Sequence, residues 1–454
     1  MTNPSQLHRR LFGLASLLIA ATLMPQTSHA LPSFARQTGM ACTACHTQSF
    51  GPNLNDYGRS FKLNGYTWGG NDNILSRFGG MVMGSFTNTK KDNPALGNRD
   101  EDPALANRHF NQNNNLAMDE ASVFYGGKVY GKMGAFVQLT YDGVGSAFAL
   151  DNTDIRIADQ ADWLGQNFVF GVSFNNNPTV QDLWNTTPAW GFPYVGSPLA
   201  NGPSAGPAIS AFETQLGGAT LYTMINDLLF VEAGAYTNFA RYAQKGMGYR
   251  DTIKVDGGAP YWRIALQHNW QGHYVSLGHF GFRVNNLPNG TISTSDRYTD
   301  LGLDFNYQYL ADPKHIYEFK ASYIREQQEL FATYGAGAAS HLNQQLGFLG
   351  LNGMYTYDQT YSVALGFNHI YGNRDDILNS YSINGRPGSE FFTAEFDYIP
   401  FGKSAGNTAS YMNLRLAAQY VAYTKLDGAD KNYAGPGTSG SDNNTLYFNA
   451  WLAF

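Results

Sequence analysis

The sequence predicts an all-β fold, a transmembrane β-barrel of about sixteen antiparallel strands preceded by a small N-terminal segment. Three observations predict it. Charged residues make up only 14% of the 454 residues, whereas a soluble domain typically has about 25%. Glycine and aromatic residues are abundant, with 50 Gly, 29 Tyr and 30 Phe. Polar and apolar residues also alternate with a period of two over most of the chain, as in strands that face lipid on one side.

The same numbers exclude other classes. A bundle of membrane helices needs several apolar runs of about 20 residues, but the mean hydropathy is −0.33 and no such run follows residue 24. A soluble β-sandwich or propeller would carry more charge and no lipid-facing stripe. The net charge of −6 argues against nucleic acid as a partner, because phosphate binding requires clustered Lys and Arg.

Residues 1–30 have the pattern of a secretory signal peptide. Arg9 and Arg10 precede an apolar stretch at residues 11–24, and the small-x-small site Ser28-His29-Ala30 precedes Leu31. The apolar stretch is too short to cross a bilayer. We therefore expect export by the general secretory route, since the twin-arginine route carries folded cargo and a barrel must cross unfolded.

Residues 31–75 form a separate small segment with both cysteines and one short helix near residues 54–63, and residues 76–454 form the barrel. In the clearest strand, Leu301, Leu303 and Phe305 share one face and Asp300 and Asp304 share the other. Sixteen such segments are predicted, at 77–90, 117–129, 132–142, 150–158, 166–175, 211–224, 228–239, 258–270, 272–284, 297–310, 314–329, 342–357, 360–371, 388–398, 408–424 and 443–454.

The connections predict the orientation. Most connections after odd strands are long and polar, such as residues 176–210, and most after even strands are tight, such as residues 130–131. Outer-membrane barrels have long extracellular loops and short periplasmic turns. We therefore expect the outer membrane as location, with both termini and residues 31–75 on the periplasmic side. The alternating last strand ends in Phe454, as bacterial barrels do.

The chemistry lies in the small segment. Cys42-Thr43-Ala44-Cys45-His46 is a C-x-x-C-H motif, and it contains the only two cysteines of the chain. Two thiols three residues apart can each form a thioether to one vinyl group of a haem, and the adjoining His46 can bind its iron as proximal ligand. Two alternatives stay open at this stage, a redox disulfide and half of a zinc site.

The distal iron ligand is predicted to be Met81. Met81 and Met83 lie just past the small segment, on the face of the first strand opposite Val82 and Phe86, and so in the lumen near the periplasmic end. His/Met ligation raises the reduction potential of a haem. The alternative is that both methionines only line the lumen or pack against the small segment.

Other candidate groups have weaker signals. Six scattered histidines lack metal-ligand spacing and are predicted at rim or lumen positions: His268, His273, His279, His315, His341 and His369. Three lumen carboxylates could guide cations: Asp142, Asp300 and Asp304. The aromatic loop with Trp184, Trp190, Phe192 and Tyr194 is predicted to cover the pore mouth or to contact the cell surface.

The stretches PSFARQTGMACTACHT and GPNLNDYGRSFKLNGYT, followed by a barrel, resemble the fused monohaem cytochrome-porins of the bacterial outer membrane, which include iron oxidases. The motif-level match covers residues 32–67. The resemblance implies a haem segment that plugs or adjoins a porin-like barrel and passes electrons from an extracellular donor, typically Fe(II), to periplasmic cytochromes. Only Cys42, Cys45 and His46 carry over residue by residue.

Two functions therefore stand at this stage. The first is an electron conduit of the Fe(II)-oxidising type with one covalent c-type haem. Its barrel is surrounded by outer-membrane lipid, its electron donor is Fe(II) and its acceptor is a periplasmic c-type cytochrome. The second is a diffusion porin whose haem-bearing segment is a plug or sensor without net electron flux. Porin-like architecture is compatible with a homotrimer, and whether the protein is an enzyme stays open.

Overall fold

The structure is a computed structural model that describes residues 32–71, 73–97, 110–247, 253–288, 294–401, 403 and 412–454. The predicted signal peptide lies outside the described residues. None of the helices in the described ranges is long and apolar enough to cross a bilayer.

Sixteen strands form one closed barrel in which each strand pairs antiparallel with its sequence neighbours, and the last strand pairs with the first. The predicted strand number and order are confirmed. The strands are β1 Phe78–Thr89, β2 Asn115–Tyr130, β3 Met133–Asp142, β4 Ala147–Trp163, β5 Gln166–Asn175, β6 Leu216–Ile225, β7 Leu229–Asn238, β8 Ala259–Trp270, β9 His273–Asn286, β10 Asp296–Tyr309, β11 His315–Glu329, β12 Asn343–Tyr357, β13 Tyr361–Gly372, β14 Ser389–Tyr398, β15 Asn413–Lys425 and β16 Thr445–Ala453.

One strand is longer than its pattern predicts. β4 was expected at residues 150–158 and runs over Ala147–Trp163. Its pairing with β3 shifts register between Val137 and Leu139. An extra residue at such a bulge breaks the period-two alternation locally, so the alternation pattern does not show where the strand begins.

The two faces of the wall follow the predicted alternation. In β10, Asp300 is fully buried in the interior, whereas Leu303 is 55% exposed on the outside. The outer surface carries many such exposed apolar residues, including Leu277, Leu365 and Phe448. This apolar belt is the surface that a bilayer covers in a membrane barrel.

The ends of the barrel differ as predicted. Most connections after even strands are tight turns, such as residues 164–165 and 271–272, and we call this the short-turn end. The opposite, long-loop end has long connections, with one exception at residues 143–146. There the Asp142 carboxylate accepts hydrogen bonds from the backbone N–H groups of Val144 and Gly145, at 2.9 and 2.6 Å, so it closes the turn.

Residues 32–77 fill the short-turn end of the lumen and are called the plug here. The plug contains helices α1 Pro32–Thr38 and α2 Asp56–Leu63, and single 3₁₀ turns at Cys42–Ala44 and Ile74–Arg77. α2 confirms the predicted helix and begins where the Asn55 side chain accepts the Gly58 N–H at 3.1 Å. The rings of Phe34, Phe61 and Tyr66 form the plug's own small core.

The connection between β5 and β6 turns inward and is called the inner loop (residues 176–215). Val180, Leu183 and Trp184 are buried within it. The prediction that this loop covers the mouth or contacts the cell surface was wrong for Trp184, whose ring packs against Phe230 of the wall, and for Tyr194, whose hydroxyl donates to Asn53 of the plug at 2.6 Å. The remaining helices of the described chain are short: α3 Pro94–Gly97, α4 Ala208–Ala211, α5 Arg241–Gly246 and α6 Phe331–Gly335.

Candidate functional site

The C-x-x-C-H motif forms one tight turn of the plug. The backbone N–H groups of Cys45 and His46 both donate to the Cys42 carbonyl, at 3.1 and 2.9 Å. Neither cysteine forms a disulfide, and Cys42 is only 4% exposed. The turn therefore brings two thiols and one imidazole together in five residues, as the sequence predicts.

His46 is held in one tautomer. Its Nδ1 lies 3.0 Å from the backbone carbonyl of Asn53, and residues His46 and Leu54 form an isolated antiparallel bridge. A carbonyl only accepts, so Nδ1 carries the proton and Nε2 keeps its lone pair. Burial lowers the pKa of His46 to about 4, against the opposing effect of the Asn53 hydrogen bond. The ring is therefore neutral at pH 7, which is the form that binds metal.

This donor set fits a c-type haem better than the two alternatives. Burial raises the pKa of Cys45 to about 12, whereas redox-active cysteines have a lowered pKa. No cluster of three or more metal-ligating residues is present in the described ranges, so the half zinc site lacks its other half there. A thioether needs no ionised thiol, and a neutral imidazole with an oriented Nδ1–H is the usual state of a metal-binding histidine.

Helix α2 is pressed against the motif. A Cβ at Gly58 would collide with the Cys45 carbonyl, so glycine allows this close approach. Asn55 adds two bonds: its N–H donates to the Cys45 carbonyl at 2.9 Å and its side-chain amide donates to the Ala44 carbonyl at 3.1 Å. Residues that flank the motif in sequence therefore stabilise the turn that contains it.

The barrel wall also holds the motif. The Thr47 hydroxyl donates to Glu318 of β11 at 2.7 Å, and the Gln48 amide donates to Asp397 of β14 at 2.9 Å. Asn413 of β15 donates to the Ser49 carbonyl at 2.7 Å. Sequence reasoning missed these residues, although each could be placed by alternation as a polar, lumen-facing residue near the short-turn end of its strand.

Met81 faces the lumen, but its sulfur already has a partner. The Trp451 indole N–H points at the Met81 sulfur at 3.0 Å, and Phe50 of the plug packs in the same cluster. Met83 is buried on the same face of β1. Ligation by Met81 stays a prediction, and it requires the sulfur to exchange the indole for the iron.

Replacing Met81 by Ala tests that ligand. If the Met81 sulfur binds iron, Met81→Ala should abolish the long-wavelength Met-to-iron absorption band of the oxidised protein. Met83→Ala is the matched control, because it removes an equally buried side chain at a comparable cavity cost of about 2–5 kcal/mol. An unchanged band in Met81→Ala would refute the assignment.

A buried charge cluster joins the plug to the inner loop. The Lys62 ammonium of α2 donates to the Val180 and Asp182 carbonyls, at 2.7 Å each. Arg156 and Asp154 of β4 pair at 2.8 Å beside it, and Tyr66 of the plug donates to Asp154 at 2.6 Å. Burial, followed by the positive charge of Arg156, lowers the pKa of Lys62 to about 7. The plug is thus held in place partly by a buried lysine whose charged form is disfavoured by burial.

This pKa predicts a pH dependence. Between pH 7 and about 10.5 the unfolded chain holds a proton on Lys62 that the folded chain has released, so stability should rise with pH through this window. We expect the melting midpoint in detergent to rise more from pH 7 to about pH 9.5 for the wild type than for Lys62→Met. Lys132→Met, an exposed control, should keep the wild-type slope. Parallel slopes in wild type and Lys62→Met would show that folding does not lower the pKa of Lys62.

The six histidines lie apart from the motif. His268, His273 and His315 stack on aromatic rings at the short-turn rim. His279 and His369 contact Trp262 and Glu390, and His341 lies 3.4 Å from Asp375. The described residues contain no metal-ligating cluster among them. They are wall and rim groups.

The predicted lumen carboxylates have structural partners. The Asp304 carboxylate binds Arg263 at 2.8 Å and the Thr186 hydroxyl at 2.6 Å. Asp300 accepts the backbone N–H of Ile209 at 2.7 Å. Both carboxylates therefore hold the inner loop against the wall.

A comparison with models of known protein families and with curated proteins gives no match. Solved outer-membrane structures give matches. A loop-deletion mutant of OmpT of Vibrio cholerae is 10% identical, with 83% of this chain and 97% of that chain covered and a TM-score of 0.42. An anion-selective porin from Comamonas acidovorans is 11% identical, with 83% and 98% covered and a TM-score of 0.44. OprB of Pseudomonas putida is 12% identical, with 84% and 95% covered and a TM-score of 0.44.

Proposed function

We propose that this protein is a porin-like barrel of the bacterial outer membrane that conducts electrons through a haem-bearing plug. The observation that carries the proposal is the C-x-x-C-H turn, with two thiols that form no disulfide and an oriented neutral imidazole, held inside the short-turn end of the barrel. The apolar outer belt supports the membrane location. The proposal places both termini and the plug on the periplasmic side, where c-type haem is attached.

The residues have separate roles. Cys42 and Cys45 would form the two thioethers, and His46 would bind iron through Nε2 while its Nδ1–H stays on the Asn53 carbonyl. A bound haem supplies a one-electron redox centre. The wall and the inner loop fix the plug, so the distance over which electrons move does not fluctuate with a loose domain.

The barrel gives this centre its purpose. The apolar band of an outer membrane is about 25 Å tall, and charged carriers do not cross its lipid. A redox centre within the lumen shortens the gap between the two sides. In the proposed reaction each extracellular Fe(II) loses one electron and becomes Fe(III), and one periplasmic c-type cytochrome gains that electron.

The test is an absorption spectrum of the purified full chain, titrated with ferrous iron at neutral pH. We expect an oxidised haem spectrum that converts to the reduced form as Fe(II) is added. A haem spectrum that stays oxidised would favour the second function, a diffusion porin with a haem-bearing plug and no electron flux. The contact between plug and inner loop across the lumen is the observation that favours a plug role in that case.

A further inference from the structure

One plug residue links the imidazole of His46 to the barrel wall. The Asn53 carbonyl accepts hydrogen bonds from His46 Nδ1 at 3.0 Å and from the Thr47 N–H at 3.3 Å. The residue is 1% exposed. Because the Asn53 carbonyl bonds the ring directly, a shift of the Asn53 backbone would change the hydrogen bond at His46 Nδ1.

The side chain of Asn53 is gripped from three elements. Its Oδ1 accepts from the Lys320 ammonium of β11 and from the Tyr194 hydroxyl of the inner loop, at 2.6 Å each. Its Nδ2 donates to Glu318 at 3.3 Å and faces the Met354 sulfur of β12 at 3.7 Å. The amide therefore has partners on both of its polar atoms, so it cannot rotate without losing several of them.

The wall partners are themselves fixed. The other Glu318 oxygen accepts the Gln308 amide of β10 at 2.9 Å, and Lys320 also donates to the Asn185 carbonyl at 3.2 Å. Glu318 and Lys320 alternate on the same face of β11 and are both buried. Buried polar networks of this kind cost free energy when any member is left unpaired.

We propose that Asn53 is a positioning residue through which Glu318, Lys320 and Tyr194 set the orientation and basicity of the His46 imidazole, and so tune the reduction potential of the attached haem. The inference rests on the proposed function. A well-aligned hydrogen bond at Nδ1 makes an imidazole a stronger donor, which stabilises the oxidised metal. Loss of the Asn53 anchor should therefore favour the reduced form.

The main test is Asn53→Ala in the full-length haem protein. This change leaves the net charge unaltered, so an effect on potential cannot come from a lost charge. We expect the ratio of reduced to oxidised haem at a fixed mediator potential to rise about tenfold, or about 59 mV for one electron. Tyr66→Phe is the matched control, since it removes another buried plug-to-wall hydrogen bond without touching Asn53. Equal effects of the two variants, including no effect in either, would overturn the proposal.

Lys320→Met separates positioning from through-space electrostatics. Removal of a nearby positive charge by itself disfavours the reduced haem, whereas release of Asn53 favours it. We expect the reduced-to-oxidised ratio to rise. A fall would show that Lys320 acts through its charge and would overturn its assignment as a positioning group.

A haem-free measurement keeps this inference distinct from the proposed function. In full-length Cys42→Ala/Cys45→Ala protein labelled with ¹⁵N-histidine, the His46 ring should be a single Nδ1–H tautomer, identified by difference from His46→Gln. Adding Asn53→Ala should give a mixture of tautomers. If no haem is found in the wild type, the proposed function fails while this arm still decides the positioning role. An unchanged single tautomer would contradict it.

Discussion

The double variant Cys42→Ala/Cys45→Ala should contain no covalent haem. Each thiol forms one of the two thioethers, and these are the only cysteines of the chain. We expect the mature protein to lose the mass of one haem and all haem absorbance under denaturing conditions. The strand pairing of the barrel does not involve either thiol, so the variant should still fold into the outer membrane.

Thr47→Ala is the matched control for the cysteine variant. It removes a neighbouring plug-to-wall bond, the 2.7 Å contact with Glu318, and leaves both thiols in place. The control should keep its covalent haem. Haem that stays attached to the double variant through denaturation would show that the thiols are not the attachment points.

Removal of Arg263 should destabilise the barrel interior more than any exposed ion pair. Arg263 is fully buried, with its guanidinium 2.8 Å from Asp304 of the wall and 3.3 Å from Asp182 of the inner loop. Arg263→Met leaves two buried carboxylates without their cation, and breaking such a pair costs about 3–5 kcal/mol. We expect the free energy of unfolding in detergent to fall by about this amount.

The same variant should also release the inner loop. The Asp182 carboxylate anchors the loop by accepting hydrogen bonds from the backbone N–H groups of Trp184, Thr186 and Thr187. Arg263 neutralises the charge of this buried carboxylate. We expect new protease cleavage within residues 176–215 and a larger conductance in planar bilayers. Arg374→Met, which removes the exposed Arg374–Asp376 pair, should leave the free energy of unfolding close to that of the wild type, because water screens an exposed ion pair. Equal stability losses in the two variants would contradict the stabilising role of Arg263 between Asp182 and Asp304.

The barrel wall could be predicted because its signal is local. In β10 each lumen residue is two positions from the next, so Asp300 and Asp304 fell on one face without any knowledge of the fold. Phe136 of β3 breaks the alternation of its strand, and its ring packs near Phe124 of β2 and Trp190 of the inner loop, at 5.9 and 6.4 Å between ring centroids. The C-x-x-C-H turn was equally local.

The supports of the site could not be predicted, because they join residues far apart in sequence. Asn53 meets Glu318 and Lys320 across more than 250 residues, and no short-range pattern records that pairing. The sequence of the inner loop has no alternation of polar and apolar residues. Its position depends on Arg263 and Asp304, which lie on two different strands. Asp304 was predicted to guide cations, but in the structure it binds Arg263 and Thr186, and these partners are distant from it in sequence.

Electron transfer across a sealed membrane is the most direct measurement. Full-length protein is reconstituted into vesicles that enclose a c-type cytochrome, and Fe(II) is added outside. We expect reduction of the enclosed cytochrome by the wild type and none by Cys42→Ala/Cys45→Ala. Equal rates with the two proteins, or no reduction by a wild type that carries haem, would contradict it.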